Sequence, residues 1–177
     1  WYAEWLPSLA WYPDGLAQPI PVLQPHGAPG FVADSLALAL GAPVPTVGIG
    51  KAIFVERLLT MPAGLPWLTR FEAYRPLFAR IAAAAQGHAS GEEPRRIYIS
   101  RRDQGARPLA NEAEIEDRLA GFGFQTVVLT GLPLARQVAL IRGADCIVAP
   151  HGAALARLLT ARPGTRVLER MPVAPGW

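Results

Sequence analysis

Three segments in the second half of the chain carry residue types suited to holding a phosphate-bearing ligand. The most informative is Gly143-Ala144-Asp145-Cys146-Ile147-Val148-Ala149-Pro150-His151-Gly152-Ala153-Ala154-Leu155, an apolar run that breaks at Pro-His-Gly and resumes with small residues. The run reads as a buried strand and its resumption as the start of a helix. A helix start presents unpaired N–H groups and the positive end of the macrodipole, which attract an anion by about 0.3–1 kcal/mol. Gly152 is expected to let the backbone approach a ligand in dihedrals closed to other residues, with Ala153 and Ala154 leaving room. His151 stands where the strand ends, placed to donate a hydrogen bond to a phosphate oxygen.

The second segment is Tyr98-Ile99-Ser100-Arg101-Arg102, which closes another strand-like run. Ser100, with Arg101 or Arg102, would reach the same diphosphate, each charge-assisted bond contributing on the order of 1.5–3 kcal/mol. The third is Glu169, at the end of Val167-Leu168-Glu169. A carboxylate there accepts hydrogen bonds from ribose hydroxyls, as in dinucleotide sites, or pairs with Arg166 or Arg170; both readings carry equal weight. Taken singly, Pro-His-Gly is a tight turn and Arg-Arg a solvated loop. Only a shared rim turns them into a site.

The elements that must build that rim alternate regularly. Arg95 to Ser100 alternates like a strand, followed by a polar loop from Arg101 to Ala110. Asn111 opens a helix with Glu114 as its capping-box partner, and Gly121 or Gly123 ends it. Phe124 to Leu129 is a second strand, Pro133 starts a helix with Leu134, Val138 and Ile141 on one face, and Gly143 closes it. Asp145 to Ala149, a helix over Gly152 to Ala161, and Arg166 to Glu169 complete a β-α-β-α-β-α-β order. Short apolar strands separated by helices imply a parallel sheet covered on both faces, as in half of a doubly wound α/β fold. Such sheets bind ligands beyond the carboxyl ends of their strands.

The first half is less regular. Tyr2 to Ala10 and Phe31 to Leu40 predict helices, Phe71 to Ala85 an amphipathic one, and Ile20 to Leu23, Val44 to Val47 and Ile53 to Met61 strands. Gln86 to Glu93 is the one polar, Gly-bearing stretch that resembles a linker, so residues 1–88 are expected to form an acceptor-side lobe and residues 89–177 a nucleotide-sugar-binding one. A general base acting on an acceptor hydroxyl would come from the first lobe. Glu4, His26 and Asp34 are its candidates, and the sequence does not choose among them.

Composition narrows the alternatives. Hydrophobic residues make up 51% of the 177, which excludes a disordered chain. Of the seventeen basic residues only Lys51 is not Arg, and the Arg side chains of the second half alternate with Glu and Asp. Guanidinium suits planar recognition of phosphate, whereas no basic stripe with interleaved aromatics marks a nucleic-acid partner. Cys146 is the only cysteine, a buried core residue by its apolar setting, so there is no disulfide framework. With no signal peptide and no apolar run of about 18–20 residues, a cytoplasmic protein without a membrane span is expected. The start at Trp1 and the end at Trp177 fit an excised piece of a longer chain. No Asp-x-Asp and no metal-ligand cluster occurs, so a bound diphosphate would be balanced by Arg, His and helix starts, without metal or cofactor. Val47-Gly48-Ile49-Gly50-Lys51-Ala52-Ile53 lacks the third glycine of a dinucleotide fingerprint and fails as a Walker A loop, and no Gly-x-Ser-x-Gly elbow is present.

Together these segments resemble glycosyltransferase family 61. The resemblance runs from Arg96-Ile97-Tyr98-Ile99-Ser100-Arg101 through Asn111-Glu112, Gly123-Phe124, Gln137-Val138, Gly143-Ala144-Asp145 and Pro150-His151-Gly152-Ala153 to Arg162-Pro163-Gly164-Thr165 and Val167-Leu168-Glu169. Trp1-Tyr2-Ala3-Glu4-Trp5-Leu6-Pro7 is similar to the family's aromatic opening, with Glu4 where the family often has His. The likeness implies a GT-B type fold of two Rossmann-like lobes, a nucleoside-diphosphate sugar donor such as a UDP-sugar, a glycan or other hydroxyl acceptor, and inversion at the sugar. A bacterial enzyme of polysaccharide biosynthesis is the implied type. By the same likeness Arg101 would hold the diphosphate, His151 and Gly152 would sit at the phosphates, and Glu169 would lie near the nucleoside. The rival expectation is a non-catalytic nucleotide-sugar-binding module or degenerate transferase.

Overall fold

The computed structural model describes residues 6–10, 12, 19–60, 71–103 and 109–171. The chain divides into two compact units, Trp1–Ala84 and Ala85–Trp177. No described helix is long and apolar enough to cross a membrane.

In the second unit four strands, β3 (Arg96–Ser100), β4 (Gln125–Val128), β5 (Cys146–Pro150) and β6 (Arg166–Arg170), form one parallel sheet in the order β4-β3-β5-β6. Alternating side chains assign the two faces. Ile97, Ile99, Ile147 and Ala149 point toward helix α4 (Leu134–Gly143) and a 3-10 helix over Ala153–Thr160, where they pack with Leu140, Ile141, Leu155 and Leu158. Each fully buried aliphatic side chain here contributes about 1.5–3 kcal/mol. Tyr98 and Ser100 face the other way, toward helix α3 (Glu112–Gly121). The central strand β3 is therefore buried on both faces after its first residue. The edge strand β6 is exposed throughout, and Leu168 keeps 63% of its surface in solvent.

Helix α3 differs from expectation at its start. Asn111 makes no side-chain cap, and Glu114 pairs instead with Arg118 one turn on at 2.8 Å. The stripe that α3 turns inward, Glu112, Ile115, Glu116 and Leu119, has helical spacing but includes two carboxylates. The residues after Gly152 also differ, winding as a 3-10 rather than an α-helix. Upstream of the sheet, the stretch that composition marks as a linker is tied down. Arg136 on α4 pairs with Glu93, which also accepts from the Ser90 N–H at 2.7 Å. Gly143 permits this closeness, since a Cβ there would lie 2.3 Å from the Glu93 Cβ.

In the first unit β1 (Val22–Pro25) runs parallel to β2 (Thr46–Ile49), joined through helix α1 (Gly30–Leu40), which ends at the left-handed Gly41. Helix α2 (Phe71–Ala84) packs against α1, and Leu36, Leu77, Phe78 and Ile81 are buried between them and the 3-10 turn Leu6–Leu9. The strand expected over Ile53 to Met61 is not there in residues 53–60; Phe54 is 90% exposed. Alternation is a local signal, whereas a strand requires a neighbour to complete its hydrogen bonds.

Candidate functional site

The order β4-β3-β5-β6 creates a switch point. From β3 the chain crosses to β4 on one side, then returns over β3 to β5 on the other, so the loops after β3 and β5 leave in opposite directions. A crevice opens between such diverging loops. Here it has a volume of about 250 Å³ and is lined by the strand ends at Ser100 and Pro150, by Arg101, and by Gly152, Ala153 and Arg157.

Arg101 is held in this crevice at both its backbone and its guanidinium. Its backbone N–H donates to Glu112 Oε1 at 2.7 Å, which anchors the turn out of β3. Its guanidinium Nη1 donates to the His151 carbonyl at 3.1 Å, so the β3 and β5 loops are bridged across the switch point. Gly152 makes this possible by size: an added Cβ would stand 3.3 Å from that same nitrogen. Its φ of 161° is extended backbone, so the expectation of a conformation closed to other residues is corrected; closeness, not dihedral freedom, distinguishes the position.

Ser100 lines the crevice, yet its hydroxyl donates to Glu112 Oε1 at 3.0 Å and accepts from the Arg102 N–H at 3.2 Å. It shapes the strand end from inside. Arg102 turns toward α3 and pairs with Glu116 at 3.2 Å, so of the two adjacent arginines Arg101 is the one at the crevice. His151 is half-exposed, and its Nδ1 lies 2.6 Å from Glu169 Oε1. Glu169 is thus committed neither to Arg166 nor to Arg170, the ion-pair partners considered from sequence; His151, just past the end of the adjacent strand β5, takes it, and neither side chain of this pair is among those that line the crevice. Ala153 starts the 3-10 helix, and its carbonyl accepts from Arg157 at 3.1 Å. Asp34 is exposed on α1 of the first unit, where His26 donates its N–H to the Ile49 carbonyl at 2.9 Å. Glu4 lies outside the described residues.

The sequence reading missed Glu112, Gln137 and Arg157. Glu112 is 7% exposed and gathers three donors on one oxygen: the Tyr98 hydroxyl, the Ser100 hydroxyl and the Arg101 N–H. Burial first, and then the neighbouring Glu112 carboxylate, push the Tyr98 phenol above its usual range, so it stays a donor. Arg157 had a visible signal, a lone charge inside Ala153-Ala154-Leu155-Ala156-Arg157-Leu158-Leu159. Two guanidiniums, Arg101 and Arg157, stand in a largely apolar crevice wall together with the Asp103 carboxylate. Among the described residues no group of three or more His, Cys, Asp or Glu side chains comes together as a cation site.

A crevice at the switch point of a parallel α/β sheet is where such folds bind their ligands. Against known families, the sequence model described as Glycosyltransferase 61 matches residues 1–168, nearly the whole chain. The protein belongs to glycosyltransferase family 61, and glycosyl transfer with a sugar donor and an acceptor is its general activity. No curated protein matches it significantly.

Proposed function

We propose that the protein transfers a sugar from a nucleoside-diphosphate donor, a UDP-sugar foremost, to a hydroxyl acceptor with inversion and without a metal ion. In this reading the second half of the chain holds the donor and the first half serves the acceptor, as in a two-lobed GT-B enzyme. The acceptor oxygen attacks the anomeric carbon opposite the leaving group, a carboxylate takes its proton, and the nucleoside diphosphate departs with the bonding pair. Glu4 and Asp34 are the proposed sources of that base. The departing charge is balanced by Arg101, with His151 and the N–H groups at Gly152 and Ala153 beside it. Glu169 acts through His151, to which it is bonded.

The observation that carries the reading is Arg101 at the switch point, anchored at its backbone by Glu112 and at its guanidinium by the His151 carbonyl, against a glycine that leaves space for it. Calorimetric titration with UDP in the presence of EDTA tests it. Arg101→Ala and His151→Ala are each expected to weaken UDP binding by about tenfold or more, the worth of a charge-assisted bond. Unchanged affinity in both variants, with folding intact, would refute the site. Donor binding with neither sugar transfer nor donor hydrolysis would favour the binding-module reading.

A further inference from the structure

Arginines collect at the end of the second unit's sheet that lies away from the crevice. The strands are parallel, so their carboxyl ends border the crevice and their amino ends share the opposite edge. Arg96 opens β3 and Arg166 opens β6, and both stand in register with Cys146 at the start of β5, so the two side chains leave the same face of the sheet. Just upstream Asp145 is shared: its Oδ2 accepts from Arg95 Nε at 2.7 Å and its Oδ1 from Arg162 Nη2 at 2.8 Å. One carboxylate thus answers two guanidiniums, and Arg95 and Arg162 keep 62% and 39% of their side chains in solvent. Arg96 and Arg166 are exposed as well. Four guanidiniums against Asp145 and the exposed Glu92, three residues before Arg95, leave two positive charges at this edge. The next acidic residue, Glu93, is taken by Arg136. The same edge carries a bare aromatic ring. Phe122 follows α3 and is 68% exposed. It lies between two glycines: a Cβ added at Gly121 would meet nothing within 4 Å, and Gly123 turns the chain at a left-handed φ of 76°. Arg96 Nη1 holds this protruding turn by donating to the Phe122 carbonyl at 2.6 Å.

We propose that this edge docks the protein on an anionic lipid bilayer, with Arg95, Arg96, Arg162 and Arg166 on the headgroup phosphates and Phe122 in the interface. Basic side chains next to an exposed apolar one are what a charged membrane surface takes up, the charges through its negative potential and the ring through apolar burial. Guanidinium adds paired hydrogen bonds to each phosphate it meets. A protruding turn has no concave walls to hold a small ligand or a sugar ring, whereas a bilayer interface admits a ring wherever one projects. Docking by the amino ends of the strands leaves the crevice at their carboxyl ends on the far side of the sheet, open to ligand. It requires nothing of the donor-site reading.

Flotation of the whole chain with vesicles tests this, with thermal unfolding of each variant as a check on folding. The chain is expected to bind vesicles of phosphatidylcholine with phosphatidylglycerol, to leave phosphatidylcholine alone, and to be released by salt. Arg166→Gln, whose side chain bonds no described residue, should weaken binding by about fivefold, and Arg95→Gln combined with it by about 25-fold. Phe122→Ser keeps the backbone bonds of the turn and should weaken binding by about fivefold through lost apolar burial. If Arg95→Gln unsettles the fold through Asp145, Arg166→Gln and Phe122→Ser still report the docking. Titration of the same variants with UDP should show unchanged affinity; a loss there would assign these arginines to a nucleotide and overturn the bilayer. Absence of binding to anionic vesicles overturns the proposal, as does equal binding to neutral ones. Equal capture of heparin, a soluble polyanion, with Phe122→Ser indifferent on vesicles, also overturns it.

Discussion

Substituting Gly152 by alanine separates binding from folding more cleanly than any other change at the crevice. The new Cβ would stand 3.3 Å from Arg101 Nη1 and 3.8 Å from its Cζ, so the guanidinium must retreat by a few tenths of an ångström. That retreat stretches the 3.1 Å bond to the His151 carbonyl toward the limit of a hydrogen bond. The displaced atoms are the far end of a flexible side chain, and the extended backbone at φ 161° accepts alanine. Alanine also restricts the unfolded chain, a stabilising effect of about 0.4–1 kcal/mol. The thermal midpoint should therefore stay level or rise by roughly 2–4 °C. Donor affinity should still fall, because Arg101 loses part of a contact worth about 1.5–3 kcal/mol; a loss of roughly 0.6–1.4 kcal/mol is threefold to tenfold in Kd. Calorimetry with UDP reads the affinity and differential scanning fluorimetry the midpoint. A double-mutant cycle with Arg101→Ala completes the test, since without the guanidinium the added methyl should cost little more. Full UDP affinity at an unchanged midpoint, or losses that simply add in the double variant, would refute the steric coupling.

Removing Glu112 should be costly: Glu112→Ala strands the donors that converge on its buried oxygen and is expected to cost about 3 kcal/mol. Thermal unfolding should show a midpoint lower by roughly 6–12 °C, and an unaltered midpoint would contradict the network. Gly143→Ala forces a Cβ onto the Glu93 side chain and is expected to destabilise by about 1–3 kcal/mol in urea unfolding; a neutral result would show that the Glu93 backbone yields freely. Burial opposes ionisation of Glu93, but its bonds from Arg136 and Ser90 outweigh that and hold its carboxyl below the usual 4.5. A depressed folded-state value means a contribution present above pH about 4.5 and lost as the pH falls through the folded-state value. Stability measured against pH should thus drop more steeply in acid for the native chain than for Glu93→Gln, and parallel curves would remove Glu93 as the cause.

Much of the second unit could be read locally. Ile97, Ile99, Ile147 and Ala149 sit in apolar runs too short for helices, and the stretches between them repeat at helical spacing, so strand-helix alternation followed from the chain itself. Local pattern failed where the deciding partner is distant. Nothing near Ile53 indicates whether a neighbouring strand will be there. Asn111 and Glu114 have capping-box spacing, but Asn111 meets Arg170 at 3.5 Å and Glu114 finds Arg118. The turn after Gly152 had the residues of an α-helix and tightened to 3-10 where Arg157 bonds back to the Ala153 carbonyl.

The amino-acid order alone determined family membership, the run of elements in the second unit and which short segments end at strand termini, because these depend on composition and spacing within a few turns of chain. Tertiary structure decided which of those termini meet. The return of the chain across β3 puts the Arg101 and Gly152 loops on either side of one crevice, turns Arg102 to α3 and gives His151 to Glu169. Those pairings join residues up to fifty positions apart, as Arg101 and His151 are. Their reason is geometric: sheet order places them side by side, and neither segment carries any trace of the other.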